Sequence, residues 1–165
     1  DKGARMVPGI FKNLKLPLDD KMKYVKKLVF LHLRPISLTS EKITDAALRR
    51  LLFEAGDDLK DLMLLCQSDI TSKNIDKKQK YLKRFEIVKQ KLKDVEQRDK
   101  IKNWQPPIDG KEIMTHFNIG PCKEVGIIKE AIKNAILDGE IKNNKKEAEL
   151  FMIEKGKNLG ISNGK

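Results

Sequence analysis

Apolar residues in this chain recur at intervals of three and four, segment after segment, and no stretch reads as a strand. That period gathers apolar side chains into one stripe along a helix, whereas a half-buried strand needs a period of two. The expected fold class is therefore all-α: an irregular helical bundle with a long connecting helix and a small helical C-terminal subdomain. A chain of 165 residues is long enough to bury a core without disulfides or metals.

The punctuation between stripes places the helices. Asp19 and Asp20 open a helix in which Met22, Val25, Leu28, Val29 and His32 share a face through Leu33. Pro35 is expected to end it, because the residue before a proline is pushed out of the α region. Upstream, Ala4 to Leu14 fits a short helix, with Pro8 tolerated near its first turn. Thr44 is placed to N-cap a helix with Ala47, Leu48, Leu51, Leu52 and Ala55 as its core face, and Gly56 as a left-handed stop. Asp57 and Asp58 then begin a helix striped by Leu59, Leu62, Met63, Cys66 and Ile70. The short link at Gly56 predicts that these two helices pack as a hairpin.

From Asp76 to about Lys102 the spacing predicts one long helix, with Tyr81, Phe85, Val88, Leu92 and Val95 as a narrow apolar seam. Such a seam fits either a helix lying on its own domain or a dimerising coiled coil, so monomer and dimer both stay open. Trp104-Gln105-Pro106-Pro107 breaks the pattern and marks the internal boundary. Beyond it, Asp109 and Glu112 form a capping box for a helix to about Phe117. Gly120-Pro121 would start another, with Pro121 at the first helical position, striped by Val125, Ile128, Ile132, Ala135 and Ile136 and stopped by Gly139. A last helix, Asn144 to Leu159, carries Ala148, Phe151, Met152 and Leu159. Three segments result: 1–75, a long basic helix at 76–105, and a tail at 106–165.

The net charge of +11 is uneven. Residues 1–40 carry 9 positive and 3 negative charges, and residues 76–102 carry 11 and 5, each a balance of +6. Residues 41–69 carry 4 and 7, and the tail from 103 carries 10 and 9. Basic blocks of this kind suit a polyanion, since lysines that neutralise phosphates release counterions; a solvated lysine-rich surface would look the same. Adjacent Arg49 and Arg50 cannot both point one way, so one is expected to pair with Asp45 or Glu54 at helical spacing.

Catalytic and metal motifs are sparse. There is no Walker loop, no Gly-x-Gly-x-x-Gly and no Cys-x-x-Cys. His32 lies on an apolar face and reads as a structural histidine, and His116 as a capping or solvated one. Cys66 and Cys122 read as reduced thiols of a cytoplasmic protein. No apolar run is long enough to span a membrane. The chain begins Asp1-Lys2-Gly3 without an initiator Met, which reads as a piece of something longer.

Several segments, in order, resemble a known family. Gly3-Ala4-Arg5-Met6, Lys26-Lys27-Leu28-Val29-Phe30-Leu31-His32-Leu33-Arg34-Pro35, Thr44-Asp45-Ala46-Ala47-Leu48-Arg49-Arg50-Leu51-Leu52 and Ser68-Asp69-Ile70-Thr71-Ser72-Lys73-Asn74 are similar to the later half of the HD domain of bacterial tRNA nucleotidyltransferases. These are the CCA-adding enzymes of the poly(A) polymerase superfamily. Pro107-Ile108-Asp109-Gly110-Lys111-Glu112-Ile113-Met114 and Gly120-Pro121-Cys122-Lys123-Glu124-Val125-Gly126-Ile127-Ile128-Lys129 resemble that family's tail.

The resemblance implies a C-terminal part that grips tRNA, while the catalytic head and the first HD ligands would lie before Asp1. No catalytic or metal-binding residue is assigned to this chain and no cofactor is expected in it. Mg and ATP or CTP are implied for the full-length enzyme. Lys111, Lys123, Lys129 and Lys133 are the implied contacts to the RNA backbone, with Gly126 admitting a close backbone approach and Lys83, Arg84 and Lys91 as secondary contacts. The turns at Asp109-Gly110 and Gly120-Pro121 are expected to offer helix N–H groups to phosphate. An HD-type phosphohydrolase remnant and a purely structural or dimerising module are the alternatives.

Overall fold

A computed structural model describes residues 2–39, 43–71 and 74–161. Every regular element among the described residues is helical, so the fold is all-α. Ser72 and Lys73 of the fourth HD-like segment lie outside the described residues. The chain forms two compact units, Asp1–Asn103 and Trp104–Lys165.

The first unit holds α1 (Lys2–Asn13), α2 (Asp20–Leu31), α3 (Leu33–Ser37), α4 (Asp45–Ala55), α5 (Leu59–Ser68) and α6 (Ile75–Asp99). Asp19 caps α2, its carboxylate accepting from the Lys21 N–H at 2.9 Å. Thr44 caps α4 as expected, accepting from the Ala47 N–H. Three local expectations fail for identifiable reasons. Pro8 lies in the middle of α1 rather than in its first turn. Burial of Ala4 and Val7 against α2 outweighs the hydrogen bond that the proline removes. Pro35 does not end a helix but sits third in α3, where its missing N–H would have had no partner anyway. The chain breaks earlier, at His32, and Leu31 is the fully buried residue of α2 while its expected face is only half-buried. The reason is that α2 shares its surface among α1, α4 and α5.

Gly56 stops α4 with φ +54° and ψ −131°, which is not the left-handed helical conformation expected there. A β-carbon at Gly56 would also fall 2.7 Å from Asn103 Oδ1, so both backbone and space require glycine. From Gly56 a single 3-10 turn, Gly56–Asp58, leads into α5. Lys27 reaches across from α2 to donate to the Ala55 carbonyl at 2.7 Å and to Asp58 at 2.8 Å. The helices either side of Gly56 touch as the predicted hairpin requires, but α4 packs more extensively on α6 than on α5.

Along α6, Phe85, Val88, Leu92 and Val95 are buried inside this unit, whereas Tyr81 is 42% exposed. The seam is thus spent on the chain's own core, and α6 belongs to the first compact unit rather than standing between two. Two ion pairs fasten α4 to the end of α6. Arg49 Nε meets Asp99 at 2.7 Å, and Arg98 Nη2 meets Asp45 at 2.6 Å. Asp45 lies 3.9 Å from Arg49, so its principal partner is Arg98, and Glu54 pairs with Arg34 at 2.7 Å.

The second unit stacks α7 (Gly110–Phe117), α8 (Lys123–Asp138) and α9 (Lys145–Asn158) around Ile113, Phe117, Ile128, Ile132, Ala148 and Met152. The α8 stripe is buried as its spacing requires. Pro121 precedes the helix instead of opening it, and Cys122 is the residue before the first turn. Leu159 lies just past the end of α9 and is exposed; Gly156, inside the helix, takes a buried place against the Phe117 ring. No helix among the described residues is long and apolar enough to cross a membrane.

Candidate nucleic-acid interface

The capping box at the start of α7 forms as its sequence demands. The Asp109 carboxylate accepts from the Glu112 N–H at 2.8 Å, and Glu112 accepts from the Asp109 N–H at 2.9 Å. Lys145 of α9 joins the second carboxylate at 2.6 Å, tying this corner to the last helix. The Glu112 N–H, then burial opposing it, then the nearby Lys111 and Lys129 charges hold the Asp109 carboxyl below its usual range. At Asp109-Gly110, where a phosphate is expected, a carboxylate already stands at the amide end of the helix and would compete with it. At α8 the Glu124 carboxylate likewise engages its own N–H, with Lys123 nearby.

Four of the expected contacts lie in this region of the second unit. The charges of Lys111 on α7 and Lys129 on α8 both reach the Asp109 carboxylate. Lys123 and Gly126 are exposed one helical turn apart on α8. A β-carbon on Gly126 would meet nothing within 4 Å, so close helix packing is not the reason for glycine there. Lys133 is different. Its ammonium is held by Glu130 at 2.6 Å and the side chain is only a quarter exposed, which weakens it as a phosphate contact.

Lys83, Arg84 and Lys91 are exposed on α6 in the first unit, Lys83 opposite the buried stripe of Phe85, Val88, Leu92 and Val95 and Arg84 and Lys91 on its flank. Arg84 also donates to the Thr39 carbonyl at 3.4 Å. Lys80 extends the same exposed face and was missed, although its position three and four residues before Lys83 and Arg84 is readable in the sequence.

A scan against protein-family models found no match, and searches of curated proteins and of solved structures found none. The site must be argued from its own chemistry.

That chemistry is cationic and hydrogen-bonding. Among the described residues no group of three or more His, Cys, Asp and Glu side chains is placed to hold a metal ion. His32 serves the fold: its Nδ1 pairs with the Val29 carbonyl, and its own carbonyl accepts the Cys66 thiol at 2.9 Å. Burial first, then nearby Asp69, pushes that thiol's pKa up to about 12. Contrary to expectation, His116 neither caps nor stands in solvent. It is half-buried edge-on to Phe117, with its Nε2 buried and unpartnered.

Proposed function

We propose that this chain is the tRNA-binding C-terminal part of a CCA-adding tRNA nucleotidyltransferase or related polynucleotide adenylyltransferase, positioning tRNA for 3′-end maturation by a separate catalytic head. The observation that carries the proposal is the open surface at Gly126. Lys123 and Lys129 flank it on α8, Lys111 approaches from α7, and the same segment resembles the family's tail. A sugar–phosphate backbone laid across Gly126 would meet no side chain, while three ammonium groups displace its counterions. Lysine point charges without a planar arginine fork suit backbone and shape readout rather than base reading. The exposed α6 face adds Lys83, Arg84 and Lys91 as further backbone contacts. Unpaired Cys66 and Cys122 suit a cytoplasmic setting. Mg and ATP or CTP belong, on this reading, to the head.

Titration of the chain with tRNA over a series of salt concentrations tests the proposal. The expected result is a linear fall of log K with log salt, and tighter binding to tRNA than to a random-sequence RNA of equal length. Lys129→Glu should weaken tRNA binding and leave the helical circular-dichroism signal unchanged. Equal affinity for tRNA and random RNA would refute the assignment. Loss of tRNA binding only on reversing Lys83 and Lys91 would move the interface to α6.

A further inference from the structure

Helices α5 and α6 leave an open groove of about 640 Å³ between them. Its floor is apolar, built from Leu52, Leu59, Met63 and Leu92. Leu64 stands at the lip, 65% exposed, where a soluble surface would ordinarily carry a polar residue. The two rims repeat at helical spacing. Lys60, Leu64 and Gln67 run along α5, and Lys89, Lys93 and Glu96 run along α6. Each rim runs over seven helical steps, roughly 11 Å at the helical rise.

We propose that this groove receives an amphipathic helix of a partner protein, apolar face inward and acidic residues along its flanks. Parallel ridges two helical turns long over an apolar trough match the helix-in-groove mode of recognition. The charges choose the partner's sign. One end of the groove is closed by Lys102 and Asp57, paired at 3.0 Å, and Glu96 accepts the Lys102 N–H at 2.9 Å. Lys89 is steadied by Glu86 at 2.9 Å, while Lys60 and Lys93 make no ion pair among the described residues. Those two ammonium groups stand on different rims, Lys60 on α5 and Lys93 on α6, so a carboxylate on each flank of an incoming helix would be neutralised. A second copy of this chain is the poorer occupant, since its matching surface would set lysine against lysine in a molecule already at +11. This inference does not depend on the RNA reading.

The test uses the full chain and a fluorescein-labelled peptide of about 12 residues, with leucines at i, i+3, i+4 and i+7 and glutamates beside them. A peptide of the same composition in scrambled order is the control. Expected is saturable binding of the patterned peptide alone, with amide shifts confined to α5 and α6. Leu64→Asp, at an exposed position, should raise Kd at least tenfold, and Lys60→Glu with Lys93→Glu should abolish its salt dependence. Equal binding of the scrambled peptide, indifference to Leu64→Asp, or no binding at all would overturn the proposal. So would sedimentation showing a dimer that Leu64→Asp dissociates, which would assign the groove to a second copy.

Discussion

Replacing Gly156 with alanine puts one methyl group where the second unit has no room. A β-carbon there would fall 2.5 Å from Phe117 Cε1 and 3.1 Å from Cε2, both inside van der Waals contact. Phe117 is 2% exposed, within a cluster that includes Ile113, Ile128 and Met152, so its ring cannot swing into solvent without leaving the core. Two effects oppose each other. Alanine favours the helical backbone of α9 by about 1 kcal/mol over glycine. Overpacking a filled core costs about 1–3 kcal/mol, and expelling a buried phenylalanine approaches the ~3–5 kcal/mol of a Phe→Ala change. The clash wins, with a net loss of roughly 1–3 kcal/mol for the second unit.

The chain's single tryptophan makes the assay specific. Trp104 is half-buried, packs against this core and donates to Asn143 Oδ1 at 2.9 Å, so its fluorescence during urea titration follows the second unit. The decisive control is the same change in a Phe117→Leu background. A leucine there is shorter than the ring, so the methyl group is admitted and Gly156→Ala becomes neutral or stabilising by up to about 1 kcal/mol. Destabilisation of equal size in both backgrounds would show that the Phe117 contact is not why Gly156 is glycine.

Gly126 gives the opposite sign. Gly126→Ala should stabilise the second unit by up to about 1 kcal/mol in urea melts, because nothing stands within 4 Å, yet weaken tRNA binding if the RNA backbone lies across it. Asp99→Asn removes a carboxylate that Arg98 first, and Arg49 next, hold below its usual range against the opposing effect of burial. A group with a lowered folded pKa stabilises above its unfolded value near ~4 and loses that contribution as pH falls through the folded value. The first unit should therefore weaken below about pH 4, and Asp99→Asn should flatten that part of a pH–stability profile. Arg49 and Asp99 are each 17% exposed, so at neutral pH the same substitution should cost about 1–3 kcal/mol in thermal or urea melts, short of a fully buried pair. In a thiol-labelling time course at pH 8, exposed Cys122 should react promptly, while buried Cys66, its thiol hydrogen-bonded to the His32 carbonyl, should react only on unfolding.

What the sequence could disclose follows the range of each interaction. Thr44 capping α4 and the Asp109–Glu112 box are decided by residues three apart, and both are present in the structure. The stripes of α6 and α8 depend only on period, and they too are buried as read, save Tyr81. Errors appear where a distant segment decides. Pro8 survives inside α1 because α2 covers the neighbouring Ala4 and Val7. Arg49 prefers Asp99, fifty residues away, to Asp45 one turn away, because α4 packs mainly on α6.

The candidate interface divides in the same way. That Lys83, Arg84 and Lys91 lie outside the buried stripe of α6 was legible from helical spacing. That the charge of Lys129 reaches Asp109, that Glu130 holds Lys133, and that Asp109 fills the amide end of α7 required side-chain geometry. Gly126 and Gly156 show the limit most sharply. Both are interior helical glycines in sequence, with the same propensity cost and no local signal to separate them. One faces open space and the other an aromatic ring, so the same alanine substitution should raise stability at the first and lower it at the second. An unneeded glycine that weakens its helix requires a reason outside the fold, and that is why the Gly126 surface, rather than the count of lysines around it, carries the RNA proposal.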